Sequence, residues 1–333
     1  MHDAPLRYLS AAHVAAAMPG ITERLVLAEG TMVALGAGAE LPPKIGVHPA
    51  PVGSFAHAMP ALLRGSEVED TPDLLGMKWV AGFPSNAAAG LPAIHGTTIL
   101  SDAATGRPRA FIDAGALTAH RTAAVSGVAI ARWGPPTGRA ARVALIGAGA
   151  QARSHLPVIA HLLPGAEVVL CDRDAARAEM LARDLGDPAS RLGSWRAVHT
   201  MSDPLEAVSR ADLVLTLVSF GPQHQILPAE AFSKTATIVA VDYDMCVPAD
   251  LATSAGLFLV DHRQQYQANR TPDVFAGYPE APTTIGEAIR AETRRPADRV
   301  LVTHLGVGLA DVVFADAVLR VAETRGIGTI LER

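Results

Sequence analysis

The sequence predicts an α/β protein in which a domain built on a parallel sheet is inserted into a smaller α+β domain. Three observations lead there. From about residue 142 onward, short apolar runs alternate with helix-like stretches, the rhythm of a parallel sheet covered on both faces. Between residues 41 and 113 the apolar runs are instead separated by Pro, Gly and Asn, as in an antiparallel sheet. At 333 residues the chain is long for a single core, so the two textures read as two domains.

Taken in order, residues 10–37 read as helix, with apolar positions recurring at three and four and a break at Pro19–Gly20. The runs "KWVAGF", "TTILSD" and "RAFIDA" follow as strands of the first domain, and "ALTAHRTAAVSGVAIAR" (116–132) is helix again. "WGPPTGR" (133–139) reads as a linker. Beyond it, "RVALIGAG" is a strand, "QARSHLPVIAHLL" a helix, "AEVVLCDRD" a strand and "AARAEMLARDL" a helix. "WRAVHT", the helix "DPLEAVSRA" and the strands "DLVLTLVS" and "ATIVAVDYD" continue the pattern, which "VLVTHLGVG" ends. The closing helix, "LADVVFADAVLRVAETRG", is expected to return to the first domain. The expected division is 1–121 plus 309–333 for one domain and 122–308 for the other.

Composition narrows the function. The chain is 49% hydrophobic and 18% charged, which is globular. Its net charge is −5 with no run of Lys or Arg, which argues against nucleic acid and membrane surfaces as partners. The first twenty residues lack a basic region followed by an apolar stretch and do not read as a signal peptide. No apolar run reaches the length of a membrane span. Cys171 and Cys246 form no CxxC, so a reduced, cytoplasmic protein is expected. His48, His57, His95 and His120 lie in the first domain without metal-ligand spacing, so no metal is expected.

Gly147-Ala148-Gly149-Ala150-Gln151-Ala152 follows an apolar strand and opens a helix, the context that a dinucleotide turn requires. The first glycine permits the tight turn, the second lets the backbone approach a pyrophosphate, and Ala152 lets helix and strand pack closely. This makes the inserted domain Rossmann-type. Asp172 closes the next strand at about the ~20-residue spacing at which an acid binds a ribose 2′-hydroxyl. That carboxylate favours NAD; Arg173 beside it leaves NADP open. Val218 and Ser219, at the end of "DLVLTLVS", are further cofactor candidates.

The first domain sets cations among small and apolar residues: Lys44 in "LPPKIGVHP", Lys78 in "LGMKWVAGFPSN" and Arg121 in "LTAHRTAAVSG". Each is costly to bury unpaired, so each is either half of a structural ion pair or part of a site for a carboxylate-bearing substrate. Asp242 and Asp244 sit at the end of a strand of the parallel sheet, the edge where such folds bind ligands. A carboxylate there can exchange a proton with an amine or imine, or serve only as a cap.

The stretches "KWVAGFPSNAAAGLP", "GTTILSDAATGRPRAFIDAGALTAHRTAAVSG", "IGAGAQAR", "DLVLTLVS", "IVAVDYD", "TTIGEAI" and "GVGLADVVFADA" resemble the ornithine cyclodeaminase/mu-crystallin family over nearly the whole chain. The resemblance implies a homodimer whose first domain forms the interface and the substrate site, with an NAD(P)-binding domain behind it. By motif position, Lys78 corresponds to the family's active-site lysine and Arg121 to its carboxylate-binding arginine. Asp244, rather than Asp242, corresponds to the catalytic acid/base, since Leu251 follows at the matching spacing. Lys44 and Thr97 join Arg121 as substrate-binding candidates. Lys44 stands where many members have arginine and lacks the bidentate fork, and "MCVPADL" lacks the Pro-Gly-Lys usual after the acid. The chemistry implied is hydride transfer at Cα of an L-amino or imino acid, with deaminating cyclisation of an ornithine-like substrate placed first. Reduction of a cyclic ketimine such as a pyrroline- or piperideine-2-carboxylate, and amino-acid dehydrogenation, use the same parts. A non-catalytic NAD(P)-dependent binding protein of the crystallin type is the non-enzyme alternative.

Overall fold

The structure, a computed structural model, describes residues 5–66, 71–136, 140–187, 189–280 and 282–332; linker residues 137–139 lie outside the described residues. The chain divides into two compact units, residues 1–121 with 306–333 and residues 122–305.

The first unit opens with β1 (Leu6–Leu9), α1 (Ala11–Ala17) and α2 (Ile21–Gly36). Ser10 caps α1 by accepting from the His13 N–H, and Pro19–Gly20 separates the two helices. β2 (Ile45–Val47), β3 (Phe55–Leu63), β4 (Leu74–Gly82), β5 (Ile94–Asp102) and β6 (Pro108–Asp113) follow, and then α3 (Gly115–Trp133), within which this unit ends at Arg121.

The second unit carries β7 (Arg142–Ile146), α4 (Ala150–Leu162), β8 (Glu167–Cys171), α5 (Ala175–Gly186), β9 (Ala197–Met201), α6 (Pro204–Ser209) and β10 (Leu213–Thr216). β11 (Thr237–Ala240), α7 (Ala249–Ser254), β12 (Leu257–Val260), α8 (Arg263–Asn269), β13 (Thr283–Thr284), α9 (Ile285–Arg290) and β14 (Val300–Thr303) complete it. The chain then returns to the first unit with α10 (Gly308–Arg325) and β15 (Thr329–Leu331).

In the first unit seven strands run in the order β15-β1-β6-β5-β4-β3-β2, antiparallel except for the β1–β6 pair. α10 packs across β3, β4 and β5. Glycine allows this close approach: a Cβ on Gly308 would stand 2.6 Å from the Met59 carbonyl oxygen, and one on Gly76 would stand 3.0 Å from Val312. On the opposite face, Tyr8, Phe111, Ile99, Met77 and Pro60 lie in one register row across five strands. None of the five is buried, and nearby Trp79 is 45% exposed.

The second sheet is entirely parallel, in the order β13-β12-β14-β11-β10-β7-β8-β9. Its first strand, β7, lies between β8 and β10, and the winding reverses there. The crevice at the carboxyl ends of β7 and β10 is therefore the switch point at which such sheets bind ligands. The interiors of β7, β10, β11 and β14 are apolar and buried on both faces, as the near-continuous apolar runs require.

The sequence reading assigns no elements to residues 6–9, 329–331 or 249–270. These are β1 and β15, which pair with each other, and α7, β12 and α8. No described helix is long and apolar enough to cross a membrane.

Candidate active site

The glycine turn occupies the switch point. Gly147 has φ +107°, and a Cβ there would lie 2.7 Å from the Leu217 carbonyl oxygen at the end of β10. Only glycine meets both demands. Gly149 is the N-cap of α4, and a Cβ on it would meet nothing within 4 Å, so the turn keeps open space just ahead of the helix N-terminus. Ala150 is exposed, Ala152 is fully buried against the sheet, and Gln151 Oε1 is buried with no hydrogen-bond partner among the described residues. Open space, helix N–H groups and an unused polar atom together fit a phosphate-bearing group.

Asp172 lies one residue beyond β8. Its Oδ2 accepts from the Ala148 N–H at 2.7 Å and its Oδ1 from the Asp174 N–H at 2.9 Å, which fixes the carboxylate beside the turn. Arg173 is exposed. Val218 donates its N–H to Asp242 Oδ2 at 3.3 Å, and Ser219 is exposed at the start of the following loop.

The two acids after β11 have different surroundings. Asp242 accepts from Thr216 Oγ1 at 2.6 Å, bracing β10 against β11, and burial raises its carboxyl to about 6. Asp244 is fully buried. Its Oδ1 faces His224 Nδ1 at 2.8 Å, and its Oδ2 accepts from the Phe275 N–H at 2.7 Å.

In the first unit, Lys78 on β4 and Arg121 on α3 converge on Asp311 in the first turn of α10. Lys78 Nζ stands 2.7 Å from Asp311 Oδ2, and Arg121 Nε stands 2.9 Å from Oδ1; all three side chains are buried. The apolar surroundings seen in the sequence are thus an ion-paired interior. Desolvation lowers Lys78 to about 7, opposed by Asp311 and assisted by the positive charges of Arg121 and Lys44. The Arg121 guanidinium also requires Gly306, where a Cβ would fall 2.6 Å from Nη1. Lys44, just before β2, is half-buried; with His48 and Lys78 its charge adds to burial in lowering His57 to about 4.

Thr97 needs correction as a substrate-binding residue. It pairs across the strands with Trp79, whereas Lys78 pairs with Thr98. Side chains alternate between the faces of a strand, so Thr97 lies on the face away from Lys78. Thr98 lies on the Lys78 face, fully buried, with its hydroxyl unpartnered among the described residues.

Five more residues were not singled out in the sequence. Asp311 had a signal: a lone acid at the start of an apolar helix, where buried cations need a counter-charge. His224 had none, since its partner is twenty residues away and meets it only through loop folding. The third feature is a buried network in the second unit, in which Ser126 Oγ lies 2.8 Å from Nε2 of both His155 and His304. His155 Nδ1 donates to the Gln151 carbonyl at 2.7 Å, so its Nε2 accepts the Ser126 hydroxyl proton, and burial lowers this imidazole to about 4.

Residues 13–320 match the sequence profile of the ornithine cyclodeaminase/mu-crystallin family. The chain belongs to this family. One relative, the nodulation efficiency protein NfeD of Rhizobium meliloti, is 30% identical over 98% of this chain and 99% of its own. The Delta(1)-pyrroline-2-carboxylate reductase of Bacillus cereus is 27% identical over 84% of this chain and 86% of its own. Among solved structures, Thermococcus litoralis Delta(1)-pyrroline-2-carboxylate reductase, in complex with NADH and L-proline, superimposes with a TM-score of 0.86. It is 21% identical, and the match covers 98% of this chain and 100% of that one, which establishes the shared fold.

Proposed function

We propose that this family member is an NAD(H)-dependent enzyme that carries out hydride transfer at Cα of a small L-amino or imino acid, and that its substrate is a cyclic ketimine such as pyrroline-2-carboxylate. The buried Lys78–Asp311–Arg121 cluster carries this reading. Two cationic side chains share one carboxylate there, so a substrate carboxylate adds the missing negative charge and is oriented as it binds. Its arrival also favours protonated Lys78, whose amine stands near neutrality without it.

The turn from Gly147 to Ala152 is proposed to hold the pyrophosphate, with Asp172 on the adenosine ribose and Val218 and Ser219 lining the same edge. The Asp172 carboxylate favours NAD over NADP, while exposed Arg173 keeps NADP usable. When bound, the nicotinamide supplies or takes a hydride. The protein's own part is proposed to be a clamp on the carboxylate from Lys78, Arg121 and Lys44 in the first unit, and in the second unit an acid/base group at Asp244.

Deaminating cyclisation of ornithine is the competing reading. It requires an additional partner for the side-chain ammonium, yet Asp311 is the one buried carboxylate among the described residues of the first unit, and it is already shared by two cations. The relatives named as pyrroline-2-carboxylate reductases point the same way. We also propose that a second copy of the chain covers the Tyr8–Phe111–Ile99–Met77–Pro60 row, a contiguous apolar sheet face of the kind that marks an interface.

Two assays with purified protein test the reaction: pyrroline-2-carboxylate with NADH, and L-ornithine with NAD⁺ while following ammonia. Proline formation with matched NADH loss is expected. Ammonia release from ornithine without net NADH would replace ketimine reduction by cyclodeamination. Cofactor binding without turnover of either substrate would leave the binding-protein reading.

A further inference from the structure

We infer that His224, rather than Asp244 directly, is the side chain that exchanges the proton with the substrate nitrogen, with Asp244 as the residue that positions it. This rests on the hydride-transfer reading above and adds a catalytic group to it. Asp244 has no exposed surface, and each of its carboxylate oxygens is engaged, one by the imidazole and one by the Phe275 N–H. His224 is the solvent-facing end of the pair, with 21% of its side chain exposed.

The bonding determines which ring nitrogen is active. A carboxylate only accepts, so Nδ1 of His224 carries the proton that it donates to Asp244 Oδ1, and Nε2 is left to give or take a proton. The loop bearing His224 is held in place. Gln225 N donates to the Asp244 carbonyl, Ile226 N to that of Met245 and Leu227 N to that of Cys246, at 2.8–3.1 Å. The Gln225 side chain donates to the Ala276 carbonyl and accepts from the Ala249 N–H. The other ionisable groups around Asp244 are Tyr266 and Tyr278, both raised by burial, with Asp242 and Arg270 beside them. The tyrosines are therefore neutral at physiological pH, and the His224 imidazole is the group of this cluster whose second ring nitrogen is left open by the bonding.

In ketimine reduction the step balances simply. As the hydride pair forms the new C–H bond at Cα, the C=N π pair moves onto nitrogen, which takes the proton from Nε2 of the imidazolium. The imidazole returns to its starting state by taking a proton from water. In the oxidative direction Nε2 accepts the proton instead.

His224→Asn is the discriminating variant, because the Asn amide can still donate to Asp244 Oδ1 but offers no nitrogen that titrates near neutrality. A fall in kcat of about 100-fold or more is expected, with KM within a few-fold and partial rescue by added imidazole. In ¹⁵N-histidine spectra of the protein without cofactor, one resonance pair lost in the variant should show a permanently protonated Nδ1 and an Nε2 that titrates. Wild-type kcat in His224→Asn, or an Nε2 that does not titrate between about pH 5 and 8.5, would overturn the role of His224 while leaving the reaction standing. A wild-type protein that turns over neither pyrroline-2-carboxylate nor ornithine would overturn the reaction and this role together.

Discussion

Replacing Asp311 with Asn removes the negative charge that two buried cations share. The structure gives the size and pH dependence of the effect. Lys78 and Arg121 are 2% and 6% exposed at their side chains, so little water can replace the carboxylate. Removing one partner of such a pair costs about 3–5 kcal/mol, because an uncompensated charge stays buried. Lys78 can shed part of this cost by losing its proton. Its folded-state value of about 7 lies below its ordinary 10.5, so the folded protein binds fewer protons than the unfolded chain between those limits. Stability from this group therefore rises with pH across that window and is absent below it. Without Asp311 the Lys78 value falls further, and the window opens at lower pH.

The variant should thus be most destabilised near pH 6, where wild-type Lys78 is charged and paired. It should be least destabilised near pH 9, where only the Arg121 pairing is lost. Calorimetric melting at both pH values reads this as a fall of roughly 10 °C at pH 6, at about 2–4 °C per kcal/mol, and a smaller fall at pH 9. Asp316→Asn is the control. Its partners Arg109 and Arg320 are 33% and 64% exposed, so a change within about 1 kcal/mol is expected. An Asp311→Asn protein that melts like wild type, or one whose deficit grows with pH, would show that Asp311 does not balance Lys78 and Arg121.

Three further outcomes follow from the sites. Binding of L-proline as a carboxylate competitor should weaken above about pH 7, by up to tenfold per pH unit, as Lys78 loses its charge; titration calorimetry across pH 6–9 measures it, and a flat profile counts against a charged Lys78 in the clamp. Gly147→Ala introduces a Cβ 2.7 Å from the Leu217 carbonyl at a positive φ, so NADH affinity by fluorescence should fall more than tenfold, and unchanged affinity would contradict the cradle. Asp172→Ala should weaken NADH binding far more than NADPH binding; an equal loss of both would remove the ribose contact.

Patterns local in the chain were legible from sequence. The alternation of apolar strands and helices revealed the parallel sheet, and the Gly147–Ala152 spacing marked the switch point, because turn chemistry and periodicity are properties of neighbouring residues. Lys78 and Arg121 stood out because a cation in an apolar run needs a reason. What escaped depends on register or on distant folding. Thr97 and Thr98 are indistinguishable as letters, and only the pairing of Lys78 with Thr98 shows which faces the cluster. His224 meets Asp244 through a loop whose course no periodicity encodes. β1 and β15 are three or four residues long and pair across almost the entire chain, so each looks like loop until its partner is known.

The most direct test of hydride transfer to Cα follows the hydride itself. Incubating the protein with pyrroline-2-carboxylate and NADH deuterated at C4, resolved into its two stereoisomers, and analysing the proline by mass spectrometry and NMR reports its origin. Direct transfer from one face of the nicotinamide gives one deuterium at Cα from one of the two isomers and none from the other. Proline without deuterium from either isomer, or no proline at all, would contradict it.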